Sequence, residues 1–477
     1  MSMLKNTIVN VAGSVIPLAV AILTVPLYLH LIGEERYGVL AVIWVLLGYF
    51  GVFDFGLGKA TARRMAQIDS DHKRSELFST VFVLTLFLGV VGGVVLLFSA
   101  EWILAHLFTL RDESRNEALG SILWLPLALT LLLLNSAMVG ALQARERFVA
   151  INAASVLGDS LAQLLPLLVA WLGYVSIDIL LPTVLGARLI TLVLLLIQCR
   201  KYVPIANEPK IDFSHVKPLL GYGGWASALT MIGPLMTVLD RLVIGTLAGA
   251  KGVTLFTIPF NLITKLSILP NSYGGVLFPR LAALPRDESK ALADNAGRSV
   301  IAFMTPVTIL AMGMTHPFMI LWLGRDLAER CGGIGELILL GVWVSAAVMP
   351  YTYYLYAEAR LKTKILVISL LEVPLYFLLL WVGVKYFGVL GAAAAWSLRV
   401  LIDAICFLAL ADALKTILFA LTSFLLVVMA TFVVFYFDVF EVVRWFAIGT
   451  LVCFSLVIHR KLCLDAYGLL FSRRTSV

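Results

Sequence analysis

The chain has 477 residues, of which 61% are hydrophobic and 14% charged, against roughly 45–50% and about 25% in soluble domains. That balance, with a mean hydropathy of +0.98, excludes an ordinary soluble protein and points to the membrane class. The net charge of +7 lies in short loops and not in a basic arm, so it reads as a cytoplasmic bias and gives no reason to expect a nucleic-acid partner.

In chain order, apolar runs bounded by charged or turn residues predict fourteen membrane helices: 8–32, 39–57, 77–99, 118–142, 149–172, 177–198, 219–245, 253–278, 299–323, 336–357, 365–384, 389–410, 416–437 and 442–459. Each is long enough for a span of about 20 residues. The expected class is all-α, because lipid offers an open backbone no partners. The run from Ile8 to Ile32 follows Lys5. It is too long for a signal-peptide core and no small-residue cleavage site follows, so it reads as a retained first span. Cys199, Cys331, Cys406, Cys453 and Cys463 are widely spaced and suggest neither a metal site nor a disulfide framework.

Alternating the helices from a cytoplasmic N-terminus puts 24 of the 36 basic residues on the cytoplasmic side and 8 on the other, with four inside spans. This asymmetry over short loops predicts both termini inside. The two longest loops, near 199–218 and 279–298, are then cytoplasmic. The first is the natural joint between an N-terminal lobe over 1–200 and a C-terminal lobe over 219–411, with 201–218 as connector. Residues 412–477 hold the last two helices and a tail. A weak repeat runs through three outer turns, "IGEERYGVLAV" from Ile32, "LAGAKGVTLFT" from Leu247 and "VKYFGVLGAAA" from Val384. Internal repeats are a common plan in secondary transporters.

No nucleotide site is legible. "GLGKAT" from Gly56 lacks the first glycine of a phosphate loop and has Ala60 where Ser or Thr would bind magnesium. "DFG" at Asp54–Gly56 has no companion catalytic loop. No cofactor is expected.

The informative residues are charges inside spans. A cation at mid-membrane costs about 2.5–3.5 kcal/mol on insertion scales, and four are predicted there: Arg188, Arg241, Lys265 and Arg399. They must face a wet interior or a partner. Asp159 could reach Arg188, Arg399 and Asp403 are four apart and can pair, and Glu372 could serve Lys265 or Arg399. Asp240 adjoins Arg241, but neighbours on a helix point about 100° apart, so separate partners are expected for them. The alternative use is binding of an anionic substrate, which the excess of cations over the one anion away from a helix end, Asp240, in helices six to eight favours for Arg241 and Lys265. Asn10, Asn135, Asn152, Gln163, Asn261 and Asn271 could bind between helices or contact sugar hydroxyls. Prolines from Pro17 to Pro374 predict bent helices.

The segment Val25–Arg63, with Pro26, Gly33, Tyr37, Gly38, Asp54, Gly56 and Arg63, resembles the first hairpin of the polysaccharide transporter branch of the multidrug/oligosaccharidyl-lipid/polysaccharide superfamily, in particular the Wzx-type O-antigen flippases. "GALQARERF" from Gly140, "LDRLVIG" from Leu239, "FTIPFNL" from Phe256 and "LFPRLA" from Leu277 are similar to further segments of that family. The resemblance implies two six-helix lobes around a central cavity, with two extra helices beside them. It implies a bacterial inner-membrane protein that moves an undecaprenyl-diphosphate-linked oligosaccharide from the cytoplasmic to the periplasmic leaflet by alternating access. A cationic cavity for the diphosphate would then use Arg241, Lys265, Arg188 and Arg399. Coupling to H+ or Na+ is compatible with this, with Asp54, Asp159, Asp240, Glu372 and Asp403 as candidates for coupling or for pairing. Polymerase and chain-length proteins of the same pathway are the implied neighbours. The rivals are a multidrug/cation antiporter of the related branch, which should show twelve spans and a mainly acidic cavity, and a membrane polysaccharide polymerase or ligase, which should carry a large outer loop. The largest outer loop, Glu101–Ala118, is short and reads as an interfacial helix with Trp102.

Overall fold

The computed structural model describes residues 3–54, 56–106, 112–204, 212, 216–358, 361–436 and 441–459. Most of the connector 201–218, and the tail from 460 with Cys463, lie outside the described residues. Side chains are not described over 3–15, which includes Asn10.

Every element among the described residues is helical. The α-helices are α1 Met3–Phe50, α2 Leu57–Gln67, α3 Asp71–His106, α4 Asp112–Ser121, α5 Leu125–Ala144, α6 Phe148–Trp171, α7 Ile177–Tyr202, α8 Val216–Ile263, α9 Ile268–Ala283, α10 Arg286–Leu323, α11 Arg325–Ala357, α12 Lys362–Leu410, α13 Leu414–Tyr436 and α14 Glu441–Ile458. Among the described residues nine helical stretches are long and apolar enough to cross a membrane, and two shorter apolar helices, Phe419–Val434 and Val443–Ile458, follow. The protein is a multi-pass α-helical membrane protein.

Three long elements leave helical geometry at a single glycine: α1 at Gly33 (φ 78°), α8 at Gly249 (φ 69°) and α12 at Gly388 (φ 60°). Only glycine takes such angles without steric cost. In α12 the chain doubles back there, as the approach of Gly391 to the Gly383 carbonyl shows, too close for a Cβ. These are the first glycines of the three repeated turns. Pro17, Pro26 and Pro374 sit within helical backbone.

The structure corrects the predicted elements in three places. The basic loop after residue 57 contains α2, which carries Lys59, Arg63 and Arg64. Much of the loop predicted over 279–298 is the first turns of α10, which begins behind Pro285 with Asp287 and Glu288 in its first turn. Acids there complement the positive end of the helix dipole. The single helix predicted over 253–278 is interrupted by a 3-10 segment, Thr264–Ser267, between α8 and α9. Pro270 explains the break, since it has no N–H to offer the carbonyl of residue 266 and its ring crowds that group.

The chain forms two compact units, residues 1–254 and 255–477. In the first, small residues let helices approach closely, as is usual between membrane helices. A Cβ on Gly89 or Gly93 of α3 would lie 2.8 or 2.7 Å from the Cα of Thr130 or Pro126 of α5, and Gly58 of α2 meets Gly140 of α5. Gly158 of α6 meets Thr191 of α7, and the Tyr28 hydroxyl of α1 donates to the Gln163 carbonyl at 2.6 Å. In the second unit, Trp343 of α11 donates its indole N–H to Thr305 of α10 at 3.1 Å, and Ser397 of α12 donates to the Leu337 carbonyl at 2.6 Å. α14 lies against α10 where Gly313 meets Ile448.

Candidate functional site

The charges predicted inside spans fall into separate constellations in the two units. In the first unit, Arg188 of α7 donates to Asp159 of α6 at 2.8 Å. Asp159 is one residue from Gly158 and Arg188 three from Thr191, at the crossing where the absent side chain lets the helices close up. Neither member is buried, the side chains being 38% and 43% exposed.

Arg241 and Asp240, in α8 of the same unit, are enclosed instead, each 2% exposed, with Nη1 3.2 Å from Oδ2. The sequence expectation is separate partners for these neighbours; the structure brings the two together. A long arginine stem can curl back across the 100° that separates the two Cβ directions. Asp54 ends a 3-10 segment, Gly51–Asp54. Its Oδ2 accepts the Ser136 hydroxyl at 3.0 Å and the Gly58 N–H at 3.4 Å, while Oδ1 is buried with no hydrogen-bonding partner among the described residues.

In the second unit, Arg399 donates to Glu372 at 3.1 Å, with side chains 19% and 8% exposed. The guanidinium also lies 5.3 Å from the centre of the Tyr376 ring, a cation–π distance. Of the two partners open to Glu372, the structure gives it Arg399. Asp403 follows one turn along the same helix face. Lys265 lies in the 3-10 segment between α8 and α9, exposed and with no carboxylate paired to it among the described residues.

One polar feature was not singled out from the sequence. A cavity of about 530 Å³ in the second unit is lined by His316, Glu329, Arg330 and Glu336 among apolar residues. Glu336 is only 4% exposed. It opens a predicted span, and a charge at a span's edge gives no signal distinct from an ordinary boundary residue.

Chemically, three guanidiniums held inside apolar helices by carboxylates, and one free-standing ammonium, are groups that bind anions. None is arranged as a nucleophile with a base. Among the described residues no group of His, Cys, Asp and Glu could hold a metal ion.

The sequence profile of the family described as polysaccharide biosynthesis protein matches residues 30–330. A Shigella flexneri protein assigned as an O-antigen transporter is 27% identical over 411 residues, covering 85% of this chain and 96% of the relative. The solved lipid II flippase MurJ, in an inward closed conformation, superposes with a TM-score of 0.72 at 14% identity, covering 96% of this chain and 99% of that one. An inward-facing multidrug resistance MATE transporter also gives a TM-score of 0.72, at 15% identity, covering 84% of this chain and 97% of that one. At these identities the two structures show a shared fold.

Proposed function

The chain belongs to the family of polysaccharide biosynthesis proteins, and on that premise we propose that it is a flippase. It turns an undecaprenyl-diphosphate-linked oligosaccharide, an O-antigen or related repeat unit, from the cytoplasmic to the periplasmic leaflet of a bacterial inner membrane. The fourteen predicted helices cross that membrane with both termini in the cytoplasm, and the cycle is alternating access, with H+ or Na+ as candidate coupling ions.

The observation that carries the reading is the Arg188–Asp159 pair, well inside apolar helices yet about 40% exposed. Cations at that depth are too costly to turn toward lipid, so they line a wet passage. A diphosphate is the part of the proposed cargo that guanidinium groups recognise best, by paired charge-assisted hydrogen bonds. The likeness to the O-antigen transporter supports the same cargo class. Arg188, Arg399, Arg241 and Lys265 are the proposed diphosphate-facing cations. Asp54, Asp159, Asp240, Glu372 and Asp403 are the proposed pairing or coupling acids.

The test is complementation of a strain defective in export of O-antigen repeat units, with membrane levels of each variant checked by immunoblot. Wild type is expected to restore surface polysaccharide, and Arg188→Gln and Lys265→Ala to cut it at least tenfold at unchanged protein level. Full export by both variants would overturn the cation assignment.

A further inference from the structure

Gly33 and Gly249 are 216 positions apart and share a positive-φ turn, and Gly173 (φ 96°) and Gly388 are 215 apart and do the same. The second correspondence brackets two ion pairs at similar, though not identical, distances from the turn. Asp159 lies 14 residues before Gly173 and Arg188 lies 15 after it. Glu372 lies 16 before Gly388 and Arg399 lies 11 after it. In both halves the acid is on the helix entering the turn and the arginine on the helix leaving it. At 1.5 Å per residue the charges sit about 16–24 Å from the turn, which is well within a hydrocarbon core about 30 Å thick.

We infer that Asp159–Arg188 and Glu372–Arg399 are repeat-related anion sites, one in each unit, in which the carboxylate is a placeholder for the diphosphate of the cargo. This rests on the flippase reading and adds what the acids do. With cargo absent, each carboxylate neutralises its arginine, so that no bare cation stands in the apolar helices. When a diphosphate arrives, it takes the guanidinium and the carboxylate is released. The contact geometry suits exchange. In each pair an Nη1–H donates to one carboxylate oxygen, at 2.8 or 3.1 Å, and a diphosphate can engage a guanidinium through two such bonds. The Asp159–Arg188 pair is partly exposed, and such a pair is worth little, typically under about 1 kcal/mol, so a doubly charged competitor can displace it.

A merely structural pair loses by neutralisation of its acid; a placeholder frees its arginine and gains affinity. The full chain in nanodiscs of zwitterionic lipid is titrated with undecaprenyl diphosphate, with undecaprenol as the uncharged control. Asp159→Asn and Glu372→Gln are each expected to tighten binding at least threefold. Arg188→Gln and Arg399→Gln are expected to weaken it at least tenfold, and the gain from Asp159→Asn should vanish in the Asp159→Asn/Arg188→Gln double variant. Inorganic pyrophosphate should compete if the head group alone is recognised. Should the more enclosed Glu372–Arg399 variants fail to fold, the Asp159–Arg188 set decides alone. Wild-type binding with unchanged or weaker affinity in well-folded neutral-acid variants overturns the placeholder and leaves the flippase reading standing. Failure of wild type to prefer undecaprenyl diphosphate over undecaprenol overturns both.

Discussion

Arg241 and Asp240 are the most enclosed of the proposed site charges, and their burial has a price that Lys265 does not carry. Breaking a buried pair by removing one member typically costs about 3–5 kcal/mol. Arg241→Ala should therefore lower the melting temperature of the purified protein sharply, and Asp240→Asn/Arg241→Gln should recover much of the loss. If Arg241→Ala melts like wild type, the pair is not the enclosed unit described above. That outcome is also why export tests on Arg241 need a protein-level control, while Lys265, exposed in a 3-10 segment, can be tested for function directly. At this scale the sequence located the charges inside helices and offered two of the three pairings. Asp159 with Arg188 could be foreseen from adjacent helices of opposite charge. The curl of Arg241 onto Asp240 could not, because it depends on side-chain torsions that no residue spacing encodes.

Among the elements, the glycine turns are the features whose geometry can be challenged most simply. Gly388 has φ 60° and ψ −144°, a region in which a side chain costs on the order of 1–3 kcal/mol. No heavy atom lies within 4 Å of where its Cβ would stand, so Gly388→Ala tests backbone strain alone. It should lower stability by about 1–3 kcal/mol, read as a fall in melting temperature in detergent. An unchanged melting temperature would mean that the turn is not built as described. Helix positions were largely legible, because a run of apolar residues long enough to span has few other uses. The cytoplasmic ends were not. α2 and the start of α10 are rich in charge, and a helix whose outer face is wet gives the same hydropathy trace as a loop. The break before α9 was missed for a related reason: Pro270 was hidden in an apolar run that looked continuous.

For the molecule as a whole, the basic-residue asymmetry makes orientation the decisive measurement. Green fluorescent protein fused after residue 477 should fluoresce, and alkaline phosphatase inserted between α3 and α4 should be active. The opposite pattern would invert the proposed topology and, with it, the direction of transport. The fold class could be read from composition and periodicity because lipid leaves so few alternatives. The cargo could not be read that way, since a lipid II flippase and a multidrug resistance transporter share this fold at equal TM-scores.

The matched turns at Gly33 and Gly249, and at Gly173 and Gly388, keep nearly one constant offset along the chain. Such a register is what remains when a gene of half the length is copied and joined to itself. A substitution scan of one half is then a forecast for the other. The half-open Asp159–Arg188 pair and the closed Glu372–Arg399 pair show that the two halves have not kept every detail alike.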